Sequence, residues 1–190
     1  MTLLKSNTYR DGISFWLTFR RENDRIKYYV KKGESTIENR SEKIIEGEEL
    51  MDLVRERLAA GQVVRYLSFR GISMLPMLRQ GKDSVELSPL PDKLRKYDVP
   101  VYQYPSGKYV MHRVVAVRED HYICLGDNLT EYETIYPDQM IGVVSAFRRG
   151  KRRIAVDDPL YQLYSRFWYL IFPIRKTWKP VKRILRRMLK

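Results

Sequence analysis

The sequence contains one cysteine and two histidines among its 190 residues, and it has no long apolar run. Cys124 has no second cysteine with which to form an internal disulfide, and its apolar neighbours at 122–125 indicate a buried, inert thiol. So few histidines and cysteines do not supply the ligands of a dedicated zinc site, and we expect neither a metal nor another cofactor.

A membrane-spanning segment and an N-terminal export signal are also missing from the pattern. The longest apolar piece, residues 167–172, is far shorter than the roughly 20 residues that cross a bilayer. Residues 1–7 are followed by mixed polar and aromatic residues, where a signal sequence would have an apolar core. We therefore expect the chain to stay on the cytoplasmic side of the membrane.

Acidic residues are scarce at the C-terminal end. Residues 148–190 contain fourteen Lys or Arg and two Asp, a net charge of +12 out of the +13 of the whole chain. Because the rest of the chain is close to neutral, the tail is the part that we expect to bind an anionic partner.

The middle of the chain consists of short segments rich in β-forming residues, separated by turns. We predict strands at 63–69, 84–87, 99–104, 109–117, 122–125 and 141–147, a spacing typical of an all-β body. A β-hairpin is predicted within 13–30 and a helix at 46–60. The expected fold class is mainly β with flanking helices. Its parts are an N-terminal hairpin extension (1–45), a β domain (46–150) and a basic tail (151–190).

The tail has the apolar periodicity of amphipathic helices. One stripe begins after Pro159 and contains Leu160, Leu163, Tyr164, Phe167, Trp168 and Ile171. After Pro173 a second stripe contains Trp178, Val181, Ile184, Leu185, Met188 and Leu189, and its opposite face is basic. Such a helix is typical of a membrane interface, so we expect residues 159–190 to bind an anionic membrane surface peripherally, with no specific nucleic-acid partner. Packing of the aromatic stripe on the β body is the alternative.

Three residues far apart in sequence could form a hydrolytic site. Ser73 lies between Gly71 and Pro76, His112 lies in the predicted strand 109–117, and Asp127 lies in the turn after 122–125. A hydroxyl, an imidazole and a carboxylate are the nucleophile, base and orienting acid of a serine hydrolase. Each residue alone also has a purely structural explanation, such as a turn or a satisfied imidazole.

The segments around these residues resemble a known family. Residues 71–76 are similar to the serine box of type I signal peptidases and of the LexA-like self-cleaving repressors. Residues 81–85, 97–99, 112–114 and 126–128 are similar to the boxes that follow it, in the same order, and the resemblance covers about 62–147. Histidine at the base position resembles the endoplasmic-reticulum, archaeal and sporulation-type enzymes. Small bacterial peptidases that lack the usual N-terminal anchor are similar as well.

The resemblance implies a coiled β fold and a serine endopeptidase in which Ser73 attacks, His112 takes its proton and Asp127 holds the imidazole. It also implies that the substrate lies against the residues beside the nucleophile and base, namely Gly71, Met74, Pro76, Met111 and Arg113. The Ser73 amide would be one oxyanion donor. Some relatives place a second hydroxyl where this chain has Gly71, so the second donor is unassigned. Many relatives have a further Asp downstream, and here Glu131 or Glu133 would replace it unless Asp127 acts alone.

The expected function is cleavage of a leader or signal peptide at the membrane surface, with a peptide or protein carrying such a segment as partner. Two alternatives stay open. One is a LexA-like self-cleaving regulator, although such proteins pair Ser with Lys and carry a DNA-binding helix pair. The other is a catalytically silent peptidase-like module that binds a membrane or a partner.

Overall fold

The computed structural model describes the backbone of residues 14–22, 25–33, 43–45 and 48–177, and the side chains of residues 48–177 except that of Tyr66. In chain order, the elements are β1 (Ser14–Glu22), β2 (Arg25–Gly33), β3 (Lys43–Ile45), α1 (Glu48–Ala59), β4 (Val64–Leu67), β5 (Asp83–Ser88), β6 (Pro100–Gln103), β7 (Tyr109–Met111), β8 (Arg113–Val117), β9 (Tyr122–Leu125), β10 (Glu133–Ile135), a 3₁₀ turn (Pro137–Gln139), β11 (Met140–Arg149), β12 (Arg152–Ala155) and α2 (Pro159–Leu170). The predicted fold class, mainly β with flanking helices, is confirmed.

The N-terminal strands form a sheet of their own. β1 and β2 pair antiparallel from Ser14 opposite Gly33 to Glu22 opposite Arg25, which confirms the predicted hairpin. β3 adds to the other edge of β2 and was not predicted.

The largest sheet has the order β4-β5-β11-β6-β7, with β12 pairing to β11, and every pairing in it is antiparallel. The predicted helix forms as α1, and its buried face packs on this sheet through Leu50, Met51, Val54 and Leu58. Gly142 lets the helix approach closely, because a Cβ there would lie 2.6 Å from Leu58 Cδ1. The main core therefore lies between α1 and the sheet.

A smaller antiparallel sheet has the order β10-β9-β8. Its strand β8 follows β7 after the single residue His112, although β7 belongs to the larger sheet. The strand predicted at 109–117 is therefore two strands in two sheets, and this is a correction. The chain changes sheets at His112, which consequently lies at the corner where the two sheets meet. Strand β10 was not predicted, because residues 133–135 form a run too short to carry a periodic signal.

The helix predicted after Pro159 forms as α2, and Asp158 caps it by accepting hydrogen bonds from the amides of Leu160 and Tyr161. Residues 172–177 continue as a second helical segment. The second predicted stripe, at 178–189, lies outside the described residues. None of the described helices has the length and apolarity that a membrane span requires.

Candidate functional site

The register of the small sheet sorts its residues onto two faces. Val114 pairs with Cys124, and Cys124 pairs with Glu133, so these three side chains share one face. Arg113 pairs with Leu125, which places both side chains on the opposite face. Because side chains alternate along a strand, neighbours in sequence face different partners. His112 and Arg113, although adjacent, are thus directed to different carboxylates.

His112 faces Glu133. Its Nδ1 lies 2.9 Å from Glu133 Oε2 and 3.1 Å from the hydroxyl of Tyr102. Tyr102 donates its proton to the same Glu133 oxygen at 2.6 Å. The phenol ring of Tyr102 is fully buried among apolar residues of the small sheet. Packing as well as hydrogen bonds therefore fixes it beside the imidazole.

The carboxylate of Glu133 determines which ring nitrogen of His112 carries the proton. Burial would raise the pKa of Glu133, but hydrogen bonds from His112, Tyr102 and Tyr104 lower it to about 2. An ionised carboxylate accepts hydrogen bonds and cannot donate one, so Nδ1 of a neutral His112 must be the protonated nitrogen. The lone pair is then on Nε2. That atom is buried and has no hydrogen-bond partner among the described residues.

Arg113 and Asp127 form a second buried pair on the other face of the small sheet. Arg113 Nε and Nη2 each lie 2.8 Å from one oxygen of the Asp127 carboxylate. Both side chains are only 2% exposed. Burial alone would lower the pKa of Arg113, but the charge of Asp127 raises it, so the guanidinium stays charged. The remaining Nη1 donates to the Tyr97 carbonyl and the Tyr161 hydroxyl.

The loop that carries Asp127 is hydrogen-bonded both to helix α2 and to the serine loop, residues 70–78. From α2, the Tyr164 hydroxyl donates to the Asp127 carboxylate and Trp168 Nε1 donates to the Asp127 carbonyl. On the other side, the amide of Asn128 donates to the Ser73 carbonyl at 2.6 Å, and its side-chain amide donates to the Ile72 carbonyl. The position of Ser73 is therefore coupled to the Arg113–Asp127 pair.

Ser73 is half-buried in a turn that follows β4. Gly71 begins the turn with a φ of 117°, a backbone conformation that side chains disfavour. The serine loop also contacts the strand corner directly, because Arg113 Nη2 lies 3.1 Å from Met77 Sδ. The Ser73 hydroxyl makes no hydrogen bond with the described residues, and hence none with His112 Nε2.

The structure changes several of the predicted roles. The carboxylate of Asp127 pairs with Arg113 and has no hydrogen bond to His112 among the described residues, and the carboxylate beside His112 Nδ1 is that of Glu133. The side chains of Met74, Met111 and Arg113, predicted to line the substrate site, are buried in the interior. Gly71 and Pro76 are exposed beside Ser73, and their contact with a substrate stays a prediction.

Three residues that we did not place at the site from the sequence complete this arrangement. Tyr102 shares Glu133 with the imidazole, while Trp168 and Arg175 donate to the Asp127 carbonyl from the C-terminal helices. The sequence did contain an indication of two carboxylates. Neighbouring residues of a strand face opposite ways, so an Arg directly after a His in a buried strand needs an acid of its own.

Among the described residues, no group of three or more His, Cys, Asp or Glu side chains could hold a metal ion.

Comparisons with models of known protein families, with curated proteins and with solved structures find no match to this chain.

The lowered pKa of Glu133 predicts a specific pH dependence of stability. Its ordinary pKa is 4.5 and its folded value about 2, so its contribution is complete above pH 4.5 and is lost as the pH falls towards 2. Glu133→Gln should lower the free energy of unfolding at pH 7 by about 1–2 kcal/mol, since the partly exposed carboxylate is screened. Urea titrations from pH 7 to 2 should show this difference disappearing between pH 4.5 and 2. The exposed Glu131→Gln is the control and should follow the wild-type profile; a pH-independent deficit for Glu133→Gln would contradict the assignment.

The Arg113–Asp127 pair predicts a much larger loss of stability. Asp127→Ala leaves a buried guanidinium without its counter-ion, which costs about 3–5 kcal/mol. Replacing both partners together, Arg113→Met with Asp127→Leu, should recover part of this loss in urea unfolding. Asp120 pairs with His121 at the surface, where water and salt screen the charges, so Asp120→Ala should leave the unfolding curve essentially unchanged. Equal losses for Asp127→Ala and Asp120→Ala would show that the buried pair is not needed.

Proposed function

We propose that the protein is a serine endopeptidase of the signal-peptidase type, in which Ser73 is the nucleophile, His112 the base and Glu133 the acid that orients the base. One observation carries the proposal: Nδ1 of His112 is held by Glu133 while the buried Nε2 has no partner among the described residues. An imidazole held in this way has its free lone pair at the nitrogen that would accept a proton.

The chemistry requires the Ser73 hydroxyl and His112 Nε2 to approach when a peptide binds. Catalytic hydrogen bonds are commonly long in a substrate-free enzyme and tighten in the Michaelis complex. In the first step Ser73 Oγ bonds to the peptide carbonyl carbon while its proton moves to Nε2. The imidazolium next gives that proton to the departing amine as the peptide bond breaks. Water then hydrolyses the acyl-enzyme with His112 again as base.

Glu133 supports these steps electrostatically. The positive charge that develops on His112 lies next to an ionised carboxylate, which stabilises the imidazolium without itself taking the proton. The Ser73 amide is available as one donor to the developing oxyanion. The coupling of the serine loop to the Arg113–Asp127 pair supports the proposal further, because a nucleophile must be held rigidly to react.

The substrate class follows from the resemblance of the sequence boxes to those of signal peptidases. We propose a leader or membrane-proximal peptide with small side chains near the cleaved bond, presented at the cytoplasmic face of the membrane. The coiled β fold of that family is part of the same proposal. The two antiparallel sheets that meet at His112 are compatible with it.

Cleavage of a peptide library tests the proposal most simply. New termini detected by mass spectrometry should appear with the wild-type protein and should fall below detection with Ser73→Ala, because this substitution removes the proposed nucleophile. His112→Ala and Glu133→Gln should retain cleavage at the same bonds at rates lower by roughly 10²–10⁴-fold. Ser106→Ala, at an exposed turn, is the matched control and should cleave at the wild-type rate. Undiminished cleavage by Ser73→Ala would overturn the assignment, and a wild-type protein inactive on every peptide would favour a silent binding module.

A further inference from the structure

Helix α2 carries a row of exposed apolar side chains. Leu160, Leu163, Phe167 and Leu170 are 68%, 65%, 53% and 75% exposed. Their spacing of three or four residues places them on one side of the helix. We call these four residues the outer stripe. Single exposed apolar residues are normal on a protein surface, whereas a contiguous row of four large ones marks an interaction site.

The outer stripe cannot be explained as the core face of a helix that has yet to dock. The opposite side of α2 is already packed on the β body. Tyr161 is buried against Phe147, with ring centroids 5.1 Å apart. Tyr164 and Trp168 are fixed by their hydrogen bonds to Asp127. The helix is therefore held in an orientation that directs the outer stripe away from the protein.

The charge around α2 identifies the kind of surface that would cover the stripe. Residues 159–190 contain nine Lys or Arg and no Asp or Glu. Of the described ones, Arg166 and Lys176 are exposed on the C-terminal helices, and Lys96 lies beside α2 with its ammonium 4.7 Å from the Tyr169 ring. Like charge opposes the approach of a second copy through this face. A nucleic acid would use the cations but would leave the outer stripe exposed to water.

We propose that the outer stripe of α2 binds the surface of an anionic lipid bilayer, with the helix lying in the plane of the interface. An apolar stripe flanked by cations, on a helix too short to cross a membrane, suits the boundary between acyl chains and anionic headgroups. The Asp127 loop, and through it Ser73, is bonded to the other side of the same helix. Binding of the stripe would consequently hold the serine loop at a fixed distance from the membrane. The inference is independent of whether Ser73 is catalytic.

Flotation of the full-length protein with vesicles tests this inference. The wild-type protein should float with phosphatidylcholine vesicles that contain 30 mol% phosphatidylglycerol, a probe composition chosen to give a negative surface, and should float poorly with pure phosphatidylcholine. Leu163→Ser combined with Phe167→Ser should lower the partition coefficient roughly 10- to 10³-fold, because two large side chains lose their apolar surroundings. The matched control is Val63→Ser combined with Leu90→Ser, which changes two exposed apolar residues outside α2 and should bind as the wild type does.

Three results would overturn the inference. The first is no flotation of the wild-type protein, and the second is equal flotation of the Leu163→Ser/Phe167→Ser variant, which would assign binding to the basic residues alone. The third is a wild-type dimer, detected by sedimentation equilibrium, that this variant dissociates while vesicles are not bound. All substitutions are at exposed positions, and thermal unfolding should confirm that each variant is folded.

Discussion

The buried ion pair between Arg113 and Asp127 is the constraint on which the rest of the site depends. A guanidinium removed from water is tolerated only when its charge is neutralised and its donors are satisfied. Here the Asp127 carboxylate accepts from Nε and Nη2 of Arg113, and the Tyr97 carbonyl and Tyr161 hydroxyl accept from Nη1. Tyr97 accepts this contact with a φ of 83°, an unusual value for a residue other than glycine. Segments distant in sequence are thereby fixed around one charge.

This constraint separates the tasks of two adjacent residues. Arg113 forms an ion pair with Asp127 on one face of the small sheet, and this pair holds the serine loop and α2 in place. His112 lies where the chain changes sheets, and it is hydrogen-bonded to Glu133 and Tyr102 on the other face. Helix α2 has two tasks in the same way, because its inner side supports Asp127 while its outer stripe is exposed. The proposed nucleophile and the proposed membrane surface are therefore linked through a single helix.

Much of the fold could be predicted from local patterns, whereas the site depended on pairing between strands. The helix at 48–59 and the start of α2 follow from apolar periodicity and capping, which are local in sequence. The choice between Asp127 and Glu133 was not local. It required the register of β9 with β10, which pairs Cys124 with Glu133, and β10 has only three residues. The strand at 109–117 was predicted as continuous because nothing in its composition marks the change of sheet at His112.

The outer stripe of α2 shows a second limit of prediction from the sequence. The predicted stripe mixed residues of both sides, since Tyr164 and Trp168 face the body while Leu160, Leu163 and Phe167 face outward. Tyr and Trp side chains carry a polar group that can donate to acceptors on the body, whereas Leu and Phe carry none. Apolarity alone could not separate the two sides of the helix. The position of Asp127 beneath α2 was needed to do so.

The central claim is that Glu133 fixes the imidazole of His112 with its proton on Nδ1 and its lone pair on Nε2. A long-range ¹H–¹⁵N correlation spectrum of the protein labelled at histidine reports the protonation of both ring nitrogens, and His121→Gln assigns the remaining signals to His112. For the neutral imidazole we predict a protonated Nδ1 and an unprotonated Nε2. A neutral ring with its proton on Nε2, or an even mixture of the two tautomers, would contradict the account.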